Sequence, residues 1–262
     1  MINLNKELEV ALLAINKASE AILEIYNTNF EVNIKKDKSE VTNADIKSEC
    51  IIKGFLTEHF KNYSILSEES IDDLNRINND FCWIVDPLDG TKDFVNKTNN
   101  FAINIALAYK NEIVLGVICV PFYNIVYYAT KGHSAYKIEN NITTKIKVSN
   151  RKEKLHMVTS KFFFVNDDTY QNNRLIGDIQ AIGSSYKAGL IAEGKADLCI
   201  KVDPNSKEWD TAPSEIIIAE AGGIMTNIYG EKMSYNKKDV YNHDGFIITN
   251  CIDNLNVFKK TR

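Results

Sequence analysis

The 262 residues contain five cysteines with no C-x-x-C pair and four histidines with no ligand spacing. That sets aside a disulfide framework and a zinc centre, and leaves buried, reduced thiols as the expectation. Long apolar runs are also missing. The longest, Ile113 to Phe122, contains Gly116 and Pro121 and is too short to span a bilayer. The first residues, Met1-Ile2-Asn3-Leu4-Asn5-Lys6-Glu7, carry charge where a secretory leader would be apolar, so a cytoplasmic protein is expected. A basic excess is absent: the net charge is −4, and no basic, aromatic-rich stripe occurs. Nucleic acid and anionic membrane are therefore not expected partners. Internal repeats and low-complexity linkers are missing too.

What is present is a globular composition, 44% hydrophobic and 25% charged. Leu4, Leu8, Ala11, Leu12, Ile15, Ile22 and Ile25 recur at helical spacing, predicting a helix over 3–27. A second helix is expected over 43–60, with Ile46, Cys50, Phe55 and Leu56 inward and Thr42 or Asn43 as its cap. Strands are expected at 64–67 and 81–86, with the polar stretch 70–80 between them as a flexible flap. From Phe101 to Ser149 apolar and polar residues alternate between turn signals, the pattern of an antiparallel meander. Beyond that, Val158, 186–193, 196–202, 210–221 and 245–249 read as alternating strands and helices. Two closely packed halves follow, an α+β half over 1–150 and an α/β half over 151–262.

Chemistry concentrates in Trp83-Ile84-Val85-Asp86-Pro87-Leu88-Asp89-Gly90-Thr91-Lys92-Asp93-Phe94. Two carboxylates stand three residues apart at the end of an apolar strand. Pro87 fixes φ and has no N–H, which favours a turn. Gly90 lets a ligand approach the backbone, and a helix start beyond it offers N–H groups to an anion. Hard carboxylates beside an anion site suit Mg²⁺ together with a phosphate. An ordinary turn with an Asx cap is the alternative. Two further acidic stretches, Ser67-Glu68-Glu69 and Trp209-Asp210-Thr211-Ala212, fall where strands should meet helices or loops, and favour the functional reading.

Together these three stretches, in this order, resemble the inositol monophosphatase superfamily of magnesium-dependent, lithium-sensitive phosphatases. The resemblance runs over nearly the whole chain. It implies a layered αβαβα sandwich of the sugar-phosphatase type. It implies two Mg²⁺ ions, with a third left open: Glu68, Asp86 and the carbonyl of Leu88 around one, Asp86, Asp89 and Asp210 around the other. Val41-Thr42-Asn43-Ala44-Asp45 matches the family's V-T-x-A-D stretch, so Thr91 and Asp45 are the implied pair that orients the attacking water. Attack is then in line on phosphorus, with no phospho-enzyme. Asp45 and Asp210 near helix starts would also serve as simple caps.

The stretch Gly183-Ser184-Ser185-Tyr186-Lys187 resembles the G-S-S-x-K of 3′(2′),5′-bisphosphate nucleotidases, as does the Lys92-Asp93 variant of the central motif. Two hydroxyls and a lysine at a helix start form a second anion site, which a substrate with two phosphates requires. Alternatively Lys187 is solvated and the serines cap the helix. Substrate contacts are expected at Gly90, Thr91, Ser184, Ser185, Lys187 and, on looser spacing, Asp203. The expected reaction is hydrolysis of 3′-phosphoadenosine 5′-phosphate to AMP and phosphate, tied in the family to sulfur metabolism. The alternatives are an inositol or sugar monophosphatase, a fructose-1,6-bisphosphatase, or a catalytically idle phosphate-ligand binder. Both monomer and homodimer fit.

Overall fold

Apolar residues at helical spacing form α1 (Asn5–Tyr26), whose inner face is Val10, Ala11, Ala14, Ile15, Ala18 and Ile22. The computed structural model describes residues 2–35, 38–160 and 173–259. A two-stranded ribbon, β1 (Val32–Ile34) and β2 (Glu40–Thr42), leads into α2 (Asn43–His59). Thr42 is the cap of α2. Its inward face is Ala44, Ser48, Ile52 and Leu56, whereas Ile46 and Cys50 face solvent, contrary to expectation. Small and polar residues take the inner positions because α2 runs against the site: Ser48 Oγ donates to the carbonyl of Pro87 at 2.7 Å.

The meander expected over 101–149 forms five strands of one seven-stranded sheet. The sheet comprises β3 (Ser64–Ser67), β4 (Phe81–Asp89), β5 (Ala102–Tyr109), β6 (Glu112–Val120), β7 (Ile125–Thr130), β8 (Ala135–Glu139) and β9 (Ile142–Ile146), in that spatial order. Only the β3–β4 pair is parallel among these described strands. The stretch 70–80, expected as a flap, is mostly exposed but is anchored at one point. It contains a short 3₁₀ turn at Asn75–Asn78, and Arg76 within it is 3% exposed. After β4 comes the short α3 (Thr91–Val95).

A second sheet takes β10 (Leu155–Thr159), β11 (Ile176–Ala181), β12 (Leu198–Lys201), β13 (Ile224–Thr226) and β14 (Phe246–Thr249), ordered β11-β10-β12-β14-β13. With it come α4 (Tyr186–Ala192), α5 (Glu208–Glu220) and α6 (Ile252–Phe258). β11, β13 and α6 were not expected. Both strands lie at sheet edges: β13 has only three residues, and in β11 Gly177, Asp178 and Gln180 are exposed and interrupt the apolar pattern.

Three apolar cores stack between five layers. Trp83, Val85, Ile103, Ile105 and Leu107 meet α1 and α2 on one face of the large sheet. Cys82, Ile84, Ala102, Ala106 and Ile118 point the other way, against α4 and α5. The far face of the small sheet packs Met157, Leu198, Ile200 and Ile247 on Leu255 and Phe258 of α6. The result is the αβαβα sandwich. Contact between β6 and α5 is close: a Cβ on Gly116 would lie 2.7 Å from the Pro213 carbonyl. Of the five thiols Cys82, Cys119 and Cys199 are buried, but Cys50 is exposed and Cys251 half-buried.

Candidate active site

β4 alternates through Cys82 and Ile84 toward α5, and Asp86 continues that face. A regular strand would turn a residue three positions on to the opposite face. Here the ladder slips: Asp86 pairs with Asn104 and Asp89 with Ala102, so three steps on β4 match two on β5. This bulge at Pro87-Leu88 returns Asp89 to the face of Asp86. The strand thus runs through the motif rather than ending at Asp86. Gly90 follows with φ 88°, in the left-handed region that glycine adopts without strain.

Asp210 arrives from α5 in the middle layer. Its Oδ2 caps that helix, accepting from the Lys207 N–H at 2.8 Å. One carboxylate oxygen each of Asp86, Asp89 and Asp210 lies within 4.8 Å of the others. Asp89 is held by the Ser185 N–H at 2.5 Å and the Asn104 amide at 3.2 Å. Asn104 also accepts from Ser185 Oγ at 2.6 Å and donates to the Trp209 carbonyl at 3.2 Å. One buried amide therefore joins β5, the α4 turn and α5 around the trio. The sign of it in the sequence was a polar residue inside Ala102–Ala108.

Burial first, then the charges of Glu68, Asp89 and Asp210, push Asp86 well above the usual carboxylate range. Asp210 is also raised by burial, with the Lys201 ammonium pulling the other way. Oxygen donors this crowded and this anionic fit a hard divalent cation. Glu68 stands apart from the close trio and pairs with Lys35 at 3.0 Å, as does Glu69 at 2.5 Å. Burial raises the Glu68 pKa and Lys35 opposes the rise. Lys35, Asn104 and Lys201 were all missed in the sequence. Lys35 has no local signal, and Lys201 ends an apolar strand.

Asp45 closes a capping box on α2, its Oδ2 accepting from the Thr42 N–H at 2.8 Å and Thr42 Oγ1 at 2.7 Å. Its other oxygen lies 3.1 Å from Thr91 Oγ1, which is also 3.2 Å from the Leu88 carbonyl. Burial raises the Asp45 pKa against these hydrogen bonds. The expected Thr91–Asp45 pair thus meets, and Asp45 caps as well.

A cavity of ≈ 260 Å³ joins these groups, lined by Glu68, Asp89, Gly90, Thr91, Ser184, Ser185, Lys187, Lys201 and Asp210 among others. Lys187 is not solvated. It is 6% exposed, and its Nζ donates to the Ser184 carbonyl at 2.6 Å and to Ile182 O and Ser160 Oγ at 3.2 Å. Its three N–H donors are all taken. Ser184 Oγ accepts from the Tyr186 N–H at 3.3 Å, while Ser185 turns its hydroxyl to Asn104. Asp203 bonds Asn205 and lies 3.4 Å from Lys201, and it is not among the described residues lining the cavity. Burial alone would lower Lys201, but Asp210, Asp203 and Asp89 raise it overall.

The raised carboxylates make one prediction here. The metal-free fold holds protons on them more tightly than the unfolded chain does, so they lower its stability as pH rises through the raised values. A divalent cation must displace those protons, so the gain in melting temperature from Mg²⁺ should be larger at pH about 8 than at about 6. An equal gain at both would mean that these groups are not the ligands.

The sequence profile of the inositol monophosphatase family matches residues 3–256. A relative named 3′(2′),5′-bisphosphate nucleotidase CysQ, from Salmonella typhimurium, is 33% identical over 92% of this chain and 98% of its own length. The crystal structure of CysQ from Bacteroides thetaiotaomicron superposes with a TM-score of 0.82 at 31% identity, covering 95% of this chain and 99% of that one. The Thermotoga maritima inositol monophosphatase superposes equally well, TM-score 0.82, at 26% identity over 97% of this chain and 96% of that one. No described helix is long and apolar enough to cross a membrane. With fold, acidic trio and sequence in agreement along its length, the chain belongs to the inositol monophosphatase family and is a phosphatase acting on a phosphate ester.

Proposed function

We propose that the chain hydrolyses 3′-phosphoadenosine 5′-phosphate to AMP and phosphate with Mg²⁺ at the acidic trio. One observation carries the reading: a single cavity is lined both by the carboxylates Asp89 and Asp210 and by the ammonium groups Lys187 and Lys201, with Lys201 close enough to Asp210 to oppose the rise that burial causes in its pKa. A substrate with two phosphates matches a cavity that offers an acidic metal site and two ammonium groups beside it. The relatives named as bisphosphate nucleotidases support the same choice.

Asp86, Asp89 and Asp210 would hold one ion, and Glu68, Asp86 and the Leu88 carbonyl a second. Bound there, Mg²⁺ would neutralise phosphate charge and acidify a water. Asp45 is the base. Thr91 Oγ1 takes a proton from water as it passes its own to Asp45 Oδ1, 3.1 Å away. The raised pKa of Asp45 makes it a stronger acceptor. Gly90 gives the phosphate close access to the backbone, and Ser184 packs directly beside it, 3.3 Å from where a Cβ on Gly90 would stand. Lys187 acts by charge and by fixing the Ser184 carbonyl, its donors being occupied. Lys201 takes the remaining phosphate. Asp203 sets the position of Lys201 rather than meeting the sugar.

Phosphate release from 3′-phosphoadenosine 5′-phosphate, inositol 1-phosphate and fructose 1,6-bisphosphate, side by side with Mg²⁺, tests this. At least a tenfold preference in kcat/KM for the nucleotide is expected, about 1.4 kcal/mol of discrimination. The likeness to the Thermotoga inositol monophosphatase favours the second reading, an inositol or sugar phosphatase. Preference for either sugar phosphate would establish it. Silence on all three with metal bound would favour an idle binder.

A further inference from the structure

Glu68 leaves the large sheet and Asp210 heads a helix of the middle layer, so their spacing depends on how the two are tied together. We propose that Arg76 is a positioning residue that holds the Glu68 side of the site in register with Asp210, and thereby sets divalent-metal affinity. The inference rests on the metal reading above.

Arg76, Asn236 and Glu208 at the heart of the bridge are buried, while Asp72 at its outer end is exposed. The Arg76 guanidinium is fixed by Asp72, with Nε 3.1 Å from Oδ1 and Nη2 2.7 Å from Oδ2. Nη1 then donates to Asn236 Oδ1 at 2.8 Å, and Nη2 to the Lys237 carbonyl at 2.8 Å. Asn236 returns a hydrogen bond from its amide to the Arg76 carbonyl at 3.3 Å. Across the same two residues, the N–H groups of Asn236 and Lys237 donate to Glu208 at 2.6 and 2.9 Å. Glu208 is fully buried and is the first residue of α5, two positions before Asp210.

Four features say this bridge positions rather than merely fills space. A planar guanidinium with bidentate bonds constrains direction as well as distance. Asn236 sits at φ 56°, a left-handed conformation that aims its N–H at Glu208 while its side chain meets Arg76. The segment Ser70–Asp80 joins Glu68 to β4, so the clamp acts directly on the loop that follows a carboxylate of the site. At the other end, the 236–242 segment braces the start of α5 a second time, Asn242 donating to the Lys207 carbonyl at 3.1 Å. Groups that orient metal ligands from behind are typically worth about 10–100-fold in metal affinity.

The test is titration of the full chain with Mn²⁺ alone, read by calorimetry, for the unchanged protein and for Arg76→Lys, Asn236→Gly, Asp89→Asn and Ile15→Val. Lysine keeps the charge and loses the planar fork. Glycine keeps the left-handed backbone and its N–H but removes the amide that meets Arg76, so it decides the matter if Arg76→Lys does not fold. Both should raise the Mn²⁺ dissociation constant, by about tenfold for Arg76→Lys. Ile15→Val loosens the α1 core far from the site and should lower the melting temperature without moving that constant. An unchanged constant in both bridge variants, with binding lost in Asp89→Asn, overturns the role of Arg76 and leaves the metal reading intact. An Ile15→Val constant that rises as much as that of Arg76→Lys makes the effect one of general stability and also overturns it. Mn²⁺ binding that is absent, or indifferent to Asp89→Asn, removes the metal reading and this inference with it.

Discussion

Asp89→Asn is expected to lower kcat by about a thousandfold or more, some 4 kcal/mol of transition-state stabilisation, while the fold survives. The substitution is nearly isosteric. Asparagine retains an oxygen for the Ser185 N–H and the Asn104 amide, which hold Asp89 at 2.5 and 3.2 Å. What it removes is one negative charge from a trio whose oxygens lie within 4.8 Å of one another. Relief of repulsion should leave the metal-free melting temperature unchanged or slightly higher, because Asp89 raises the pKa of both Asp86 and Asp210. Turnover and thermal melts on the same preparation check both halves. Activity within tenfold of the unchanged protein would remove Asp89 from the metal site.

Asp45→Asn should cost about 10²–10⁴ in kcat with little change in KM, the usual range for loss of a positioned proton acceptor. The amide oxygen can keep the two Thr42 hydrogen bonds, so the cap on α2 is largely retained. Its nitrogen would then face Thr91 Oγ1, where it can only donate. A hydroxyl that receives a hydrogen bond there cannot pass its proton that way. Metal binding should be unaffected, since Asp45 lies outside the acidic trio. Steady-state kinetics with circular dichroism would show the split. A fall in KM affinity equal to the fall in kcat would make Asp45 a structural cap only.

Much of the site was legible because its groups are packed into short motifs. Asp86, Asp89 and Asp210 were read from two motifs and do converge. Asp45 and Thr91 meet as expected. The layered sandwich came from the family resemblance, whereas the residues themselves indicated strands over 101–149, where β5 and β6 are buried on both faces and read as near-continuous apolar runs. Other features were hidden for physical reasons. A separation of three residues implies opposite faces in a regular strand, and only the slipped register of β4 against β5 puts Asp86 and Asp89 together. Asn104 works through partners distant in sequence, which no local pattern reveals. The inner face of α2 is small and polar, so apolar periodicity pointed to Ile46 and Cys50 instead. Lys187 was read as facing a ligand and does line the cavity, while its ammonium also holds the carbonyls of its own turn, which spacing alone did not reveal.

The middle layer also has a consequence in time. The large sheet is complete once residue 146 has been made, but its second apolar face waits for α4 and α5, which end at residues 192 and 220. At about 5–20 residues per second of synthesis, the face carrying Cys82, Ile84, Ala106 and Ile118 stays uncovered for roughly 4–15 s. A nascent chain must pass through that interval with an open sheet and an acidic strand end still lacking Asp210. The small alanines on that face present less apolar area than leucines would, which limits the hazard while still letting α5 approach closely.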